Sequence, residues 1–151
     1  MRHDTLTSRR HPTPTPLEKA LAATIHTAAW EGKGPSCPDC FDGVDLVRGE
    51  PPLAHPGLGT YRCRACLRNF SDLWPTPLAA AKQPLARWAL ALLMPAPPRL
   101  WPARRQRTHR ELRQKLLASP FALRWQAALQ AQQITVPQLL KSLNARTRRL
   151  S

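Results

Sequence analysis

Two short cysteine motifs decide the interpretation of this chain: CPDC at residues 37–40 and CRAC at residues 63–66. They are separated by 22 residues and contain all four cysteines of the 151-residue sequence. Two C-x-x-C pairs at this separation are typical of a tetrahedral zinc site with four thiolate ligands. We therefore predict one structural Zn²⁺ with no coordination position left for water, bound by Cys37, Cys40, Cys63 and Cys66.

Thiol redox chemistry is the alternative use of such motifs. The CPDC motif superficially resembles a thioredoxin-type motif, but the sequence lacks the βαβ pattern that this fold requires. In a reducing compartment, paired cysteines favour a metal over a disulfide. His55 lies between the two motifs. Because four cysteines are already present, we interpret His55 as a loop residue and not as a ligand.

The charge of the chain is distributed very unevenly. The formal net charge is +14, and residues 1–72 contribute almost none of it, with nine Lys/Arg and eight Asp/Glu. Residues 73–151 contain fourteen Lys/Arg and a single acid, Glu111. This surplus favours a polyanionic partner, nucleic acid and in particular double-stranded DNA, with an anionic membrane surface as the weaker alternative.

Apolar segments that would direct the chain to a membrane are absent from the sequence. The N-terminus lacks the apolar core of a secretory signal. The most apolar stretch, residues 85–94, has about half the length of a membrane-spanning helix. We expect a soluble, cytoplasmic protein, nucleoid-associated if it binds DNA, with no membrane partner and no small-molecule substrate.

Seventeen prolines divide the chain into short pieces. We predict a disordered N-terminus at 1–14, a helix at 15–31, a zinc ribbon at 35–73, a connector with a short helix and a Pro-rich linker at 74–102, and a basic helical module at 103–151. The predicted fold class is small α+β. In it, a four-cysteine zinc ribbon of short β-strands is flanked by an N-terminal helix and a C-terminal basic all-α module.

Local signals predict where the elements begin. Short strands are expected at 44–47, at 60–62 and from Phe70. Ser119-Pro120 predicts another helix start, since proline suits the first helical turn. Three pairs have the spacing of a helix capping box: Thr15 with Glu18, Thr108 with Glu111, and Thr135 with Gln138.

The sequence around the second motif resembles a known family. Residues 61–72 read YRCRACLRNFSD, and TPL follows at 76–78. Together with CPDC and the Trp88-containing segment 84–94, this is similar to the zinc ribbon of bacterial insertion-sequence transposases and their helper proteins. The resemblance covers residues 35–94 and implies a DNA-binding or targeting role, the four cysteines as ligands, and a partner-facing position for Arg62, Arg64 and Arg68.

The chain departs from this family at three points. The family favours glycine directly after each cysteine motif, where Phe41 and Leu67 stand here. Glycine eases the left-handed turn that is common at this position, so the difference bears on turn geometry and metal affinity. Trp74-Pro75 also replaces the usual small residues.

Basic and polar residues of the C-terminal half are candidate nucleic-acid contacts. Arginines can anchor phosphates, here Arg104, Arg105 and Arg107. If 121–132 and 136–147 form a helix-turn-helix, the second helix would present base-reading side chains: Gln138, Lys141, Asn144 and Arg146. A helical bundle with a solvated polar face is the equal alternative. We interpret Trp88, Trp101 and Trp125 as packing residues.

Catalysis is not expected. Strand transfer requires a set of metal-binding carboxylates, and Glu111 is the only one after residue 72. The leading hypothesis is a non-catalytic, zinc-ribbon, nucleic-acid-binding protein. The second is a zinc-ribbon adaptor that docks a protein partner such as a transposase or a transcription complex, and the apolar segment 85–94 and the exposed prolines favour it. A homodimer is a separate partner hypothesis.

Overall fold

The computed structural model describes residues 13–41, 43, 45–52, 54–79 and 82–149, with side chains described up to residue 145. The predicted disorder of residues 1–14 therefore lies almost entirely outside the described residues. The described part contains five α-helices and three β-strands in the order α1, β1–β3, α2–α5. This confirms a small α+β fold.

Helix α1 spans Pro16–Ala29 and begins as the sequence predicts. The Thr15 Oγ1 atom accepts a hydrogen bond of 3.2 Å from the Glu18 backbone N–H, one of the donors that a helix start leaves unpaired. Leu21, Ile25 and Ala28 are buried on one face. A short left-handed segment, Glu31 and Gly32, ends the helix and turns the chain toward the first cysteine motif.

The three strands form one antiparallel sheet in the order β1-β2-β3: Leu46–Arg48, Thr60–Cys63 and Asn69–Ser71. Tyr61 is opposite Phe70, and Arg62 is opposite both Val47 and Asn69. The alternation along β2 buries Tyr61 and Cys63 and exposes Arg62. The first strand lies later than the predicted 44–47, and Val44 itself is outside the described residues.

Helix α2, Leu85–Leu93, has buried residues on nearly every side, seven of its nine in all. A helix that is apolar all round belongs in a core. It packs against α1, α3, α4 and α5. The short helix of the predicted connector is therefore the centre of the helical core.

Helix α3, Ala103–Leu117, corrects one prediction. Thr108 does not cap a helix start; it lies inside α3, and its hydroxyl donates to the Arg104 carbonyl oxygen. The helix begins directly after Pro102 because Ala103 and the following Arg and Gln residues favour a helix and no breaker separates them from Thr108. Glu111 is consequently an exposed mid-helix residue and not part of a cap.

Helices α4, Phe121–Ala131, and α5, Val136–Arg149, complete the fold. Ser119 Oγ accepts from the Phe121 N–H at 3.3 Å, as expected for this helix start. The turn between α4 and α5 has left-handed Gln133 at its centre, and the Ile134 N–H bonds to the Leu129 carbonyl oxygen, which is a Schellman-type helix end. Gln138 Oε1 then accepts from the Thr135 N–H at 2.9 Å.

Two hydrophobic clusters hold the molecule together. The larger one contains residues from all five helices and also Leu58, Leu73 and Leu78 from the segments around the sheet. The smaller one contains Cys37, Tyr61, Cys63 and Phe70. The cysteine site thus has its own small core, attached to the helical core by leucines that flank the sheet.

Candidate metal centre

The four cysteine side chains converge on one point. All four Sγ atoms lie within 4.8 Å of one another; Cys37 Sγ is 3.5 Å from Cys66 Sγ, and Cys63 Sγ is 3.9 Å from Cys40 Sγ. A zinc–sulfur distance of about 2.3 Å in a tetrahedron requires sulfur–sulfur separations of roughly 3.8 Å. A disulfide would require about 2 Å. The four thiols are free and suited to a single metal ion.

Two tight turns position the cysteines. In the first motif the Phe41 N–H donates to the Cys37 carbonyl oxygen at 2.8 Å, and in the second the Leu67 N–H donates to the Cys63 carbonyl oxygen at 2.8 Å. Phe41 has φ 54° and Leu67 has φ 65°. Both residues therefore have the left-handed conformation that is expected at these positions, where the resembling family favours glycine.

The two turns expose one cysteine each and bury the other. Cys37 and Cys63 are buried against Tyr61 and Phe70, whereas Cys40 and Cys66 are exposed. The inner pair joins the site to the small hydrophobic cluster. The outer pair leaves the site at the molecular surface.

Ionisation of the thiols is coupled through their proximity. Burial acts to raise the pKa of Cys37, but hydrogen bonds from the backbone of Cys40 and Asp39 outweigh it and lower the pKa to about 7. Hydrogen bonding with Cys66, together with burial, raises the pKa of Cys40 to about 12. Four sulfurs this close cannot all carry charge without a counter-ion. A divalent cation supplies it, because metal ligation takes cysteine as the thiolate.

A buried polar network lies beside this centre, and it was missed in the sequence. Asp72 is 1% exposed, and its Oδ1 accepts hydrogen bonds from Trp30 Nε1 at 2.7 Å and from the Tyr61 hydroxyl at 2.8 Å. His26 Nδ1 is 3.1 Å from Asp72 Oδ2. The network joins α1 to the sheet, and no local sequence signal connects residues that are 46 positions apart.

Gly59 leaves the space that this network occupies. A Cβ atom at Gly59 would lie 2.5 Å from Asp72 Oδ2 and 2.6 Å from the Tyr61 hydroxyl, and neither atom could stay in place. Burial and the hydrogen bond to Asp72 raise the pKa of Tyr61, so its hydroxyl remains a donor. The arrangement is a structural anchor between the ribbon and α1.

The candidate phosphate contacts of the ribbon lie at its surface. Arg62 and Arg64 are exposed, on β2 and in the second turn respectively. Arg68 is more constrained: its Nη1 donates to Asp39 Oδ1 at 2.8 Å, and its Cζ lies 4.8 Å from the centre of the Trp74 ring. These contacts link the second cysteine turn to the first.

The basic residues of the helices divide into surface and structural groups. Arg104 and Arg107 are exposed on α3, whereas Arg105 is half-buried with its Cζ 3.8 Å from the Trp101 ring centre. Arg113 donates to the Ala91 and Leu92 carbonyl oxygens at the end of α2. Arg124 likewise donates to the Ala28 carbonyl oxygen at the end of α1. Part of the positive charge therefore caps helices.

Three of the four polar residues predicted to contact bases lie on the exposed face of α5, and the fourth, Arg146, has no described side chain. Gln138, Lys141 and Asn144 are exposed on α5, although Gln138 is engaged with the Thr135 N–H. Trp88 and Trp125 are buried in the core, which confirms their interpretation as packing residues.

His55 and the membrane prediction can be placed as well. His55 is buried in the loop before β2 and does not belong to the cysteine group. None of the helices in the described part of the chain combines the length and apolarity needed to cross a membrane.

Comparison with models of protein families, with curated proteins and with solved structures finds no match to this chain.

Proposed function

We propose that this chain is a non-catalytic nucleic-acid-binding protein in which a zinc ribbon and a basic helix present arginines to phosphates. The observation that carries the proposal is the composition of α3. Its fifteen residues include six Arg/Lys and one acid, and it is packed against the core through His109, Leu112 and Leu116. Its opposite side leaves Arg104, Arg107 and Arg110 in solvent.

Zinc has a structural role in this proposal. Four sulfur ligands would fill a tetrahedral site and leave no position for a reacting water. Within the described residues, the four cysteines are the only group of three or more His, Cys, Asp and Glu placed to hold a metal. We therefore assign the ion the task of holding the two cysteine turns together, and we place no strand-transfer chemistry on this chain.

The finer parts of the proposal depend on the charge distribution and on the sequence resemblance. We propose double-stranded DNA as the partner, a relation to transposase zinc ribbons, and a place with the nucleoid in the cytoplasm. Helices α4 and α5 would act as a helix-turn-helix, with Lys141 and Asn144 near base edges. The exposed positions of these two residues support this assignment.

A salt titration tests the proposal. Binding of the zinc-loaded protein to a random duplex should weaken with salt, with a slope of log affinity against log salt near about −5 if roughly six phosphates are neutralised. Replacing Arg104, Arg107 and Arg110 by Gln should make that slope shallower by about 2.7, because three phosphate contacts are lost. These three side chains are exposed, so the fold should persist.

A charge-matched variant separates the α3 surface from net charge. Lys19, Lys33 and Lys82 are exposed and lie outside α3. Replacing all three by Gln removes the same charge and should change the slope much less. Equal effects of the two triple variants, or salt-independent binding, would contradict the proposed α3 interface. Failure to bind any nucleic acid would contradict the proposed function itself.

The adaptor hypothesis loses one of its two arguments, the apolar segment. The apolar segment 85–94 forms α2 and is buried in the helical core. It is therefore not a surface on which a protein partner can dock. Any protein partner or second copy would have to use a different surface.

A further inference from the structure

Large apolar side chains surround the cysteine centre at the molecular surface. Phe41 is 86% exposed, Leu67 is 60% exposed and Trp74 is 46% exposed. Phe and Trp are usually at least partly buried, because exposing an aromatic ring to water is unfavourable. Three such side chains around one small site indicate a contact surface.

Arg68 connects these side chains into one area. It directly follows Leu67, its guanidinium lies over the Trp74 ring, and it is paired with Asp39 in the turn that carries Phe41. We call Phe41, Leu67, Arg68 and Trp74 the ribbon-tip surface. Its members come from both cysteine turns and from the segment after β3.

Backbone strain at this surface is not offset by burial. Phe41 and Leu67 both have positive φ, a conformation that is unfavourable for a non-glycine residue. Neither side chain gains compensating contacts in the protein core, since both are exposed. The cysteine turns therefore hold two large side chains in solvent beside the sulfurs instead of burying them.

The chemistry of the surface identifies the partner. Aromatic rings offer faces on which nucleobases stack, and arginines contact the phosphates between them. The exposed Arg62 and Arg64 adjoin the second turn, and their guanidinium groups favour an anionic partner over a basic one. In a duplex the base faces are already stacked, so only unpaired bases can use these rings.

We propose that the ribbon-tip surface binds single-stranded nucleic acid, with unpaired bases stacked on Phe41 and Trp74 and with Arg62 and Arg64 at the phosphates. This inference rests on the proposed nucleic-acid-binding function and deepens it. It assigns duplex contacts to α3 and single-strand contacts to the ribbon. The protein would therefore favour sites where paired and unpaired segments meet.

Binding measurements on the full, zinc-loaded chain test the proposal. The probes are a fluorescent mixed-sequence single-stranded DNA of about 16 nucleotides, the RNA of the same sequence and the corresponding duplex. Phe41→Ala and Trp74→Ala should each weaken single-strand binding by about 5-fold to 100-fold. Their effect on duplex binding should be below about twofold, because α3 is unchanged. Preference between the DNA and RNA probes identifies the natural strand.

Conservative variants distinguish stacking from a change in fold. Phe41→Leu keeps an apolar side chain but removes the ring, and it should weaken single-strand binding as Phe41→Ala does. Trp74→Phe keeps a ring, and it should retain affinity while losing most of the tryptophan quenching that binding causes. Leu100→Ala serves as the control, since Leu100 is 99% exposed on the loop before α3. Zinc content is measured for every variant.

The outcomes separate this inference from the proposed function. Unchanged single-strand affinity in both alanine variants with full zinc content would overturn it, as would equal losses for single strand and duplex. Full affinity of Phe41→Leu would also overturn it and would leave the surface to a protein partner. If the unmodified protein binds neither form of nucleic acid, the proposed function fails as well.

Discussion

A bulky residue in left-handed conformation follows each cysteine turn. Phe41 and Leu67 accept this backbone because the hydrogen bonds back to Cys37 and Cys63 close the turns that aim the sulfurs inward. This strain should lower the affinity of the cysteine group for a metal ion, because the turns must form when the ion is bound. Glycine at these positions would remove the steric part of that cost.

We predict that Leu67→Gly increases apparent zinc affinity. Relief of the left-handed strain should outweigh the greater freedom of glycine in the unfolded chain by about 0.5–1 kcal/mol, or roughly twofold to fivefold in affinity. Leu67 is exposed, so little buried surface is lost. Competition with a chromophoric chelator measures the change.

Arg64→Gly is the matched control for this prediction. Arg64 is exposed in the same turn but is not among the residues with positive φ. Glycine there should leave zinc affinity unchanged or lower it. An increase of similar size in both variants would show that chain flexibility, and not left-handed strain, limits metal binding.

At the scale of elements, two polar joints hold the pieces together. The Asp72 network connects α1 to the sheet, and His109 and Arg113 connect α3 to the end of α2. Both joints satisfy polar groups that burial would otherwise leave unpaired. Each can be tested by removing one partner while the surrounding apolar packing stays in place.

We predict strong coupling between Asp72 and Tyr61. Asp72→Asn should lower the free energy of unfolding by about 2–4 kcal/mol, because the buried acceptor of two donors is replaced by a group that is itself partly a donor. Tyr61→Phe removes one donor and keeps the ring beside Phe70, so it should cost about 1–2 kcal/mol. Urea unfolding of the zinc-loaded protein measures both.

The double variant decides whether the contact matters energetically. If Tyr61 acts through Asp72, the two substitutions together should cost less than the sum of their separate effects. Additive losses would mean that the hydrogen bond contributes little and that packing dominates. Phe70→Leu provides a comparison in which only apolar contact at the same cluster is changed.

We predict that acid destabilises the joint between α2 and α3. Burial, together with nearby arginines, lowers the pKa of His109 in the folded state. As the pH falls below about 6.5, the usual histidine pKa, this histidine takes up a proton in the unfolded chain before it does so in the folded protein. The contribution of His109 to the free energy of unfolding is therefore fully present above that pH and declines below it. Thermal unfolding across pH 5–8 should show the decline.

The His109→Gln variant isolates this contribution from acid release of the metal. Its amide can still donate to the Met94 carbonyl oxygen, which His109 Nε2 contacts at 2.8 Å, but it does not titrate. Its stability should fall less steeply between about pH 6.5 and 5. Parallel curves for the two proteins would exclude His109 as the cause.

The whole molecule contains a small cysteine-centred cluster and a larger part with its own hydrophobic core. The small cluster around Cys37 and Cys63 contains few side chains, and a ribbon of this size is marginal without a metal. The larger cluster draws on all five helices and does not include the cysteines. Metal loss should therefore act unequally on the two parts.

We predict that chelation of the metal opens the ribbon and leaves most of the helical structure. The four thiols should become reactive toward a thiol reagent, and the near-ultraviolet signal of Tyr61 and Trp30 should weaken because both pack in the small cluster. Helical circular dichroism at 222 nm should be largely retained. A Cys40→Ser and Cys66→Ser double variant, which removes the exposed ligands, should behave like the chelated protein. Cooperative loss of the helices would contradict this division.

The sequence alone was enough to predict the convergence of the four cysteines, the start of α1, the helical character of the C-terminal half and the positions of the second and third strands. Those features depend on local rules, namely ligand spacing, capping and the alternation of apolar residues, which short segments express by themselves. The predicted helix start at Thr108 was wrong, although it also followed from a local rule. A capping pattern does not fix a helix start where the preceding residues also favour a helix.

Only the tertiary structure decided which charges and rings are at the surface. The interior position of α2, the capping roles of Arg113 and Arg124 and the Asp72 network all depend on residues far apart in the chain that meet only when the helices pack. Exposure of Phe41 and Trp74 likewise follows from what the rest of the fold leaves uncovered. Such long-range contacts have no local pattern, because burial is a property of the assembled core and not of a segment.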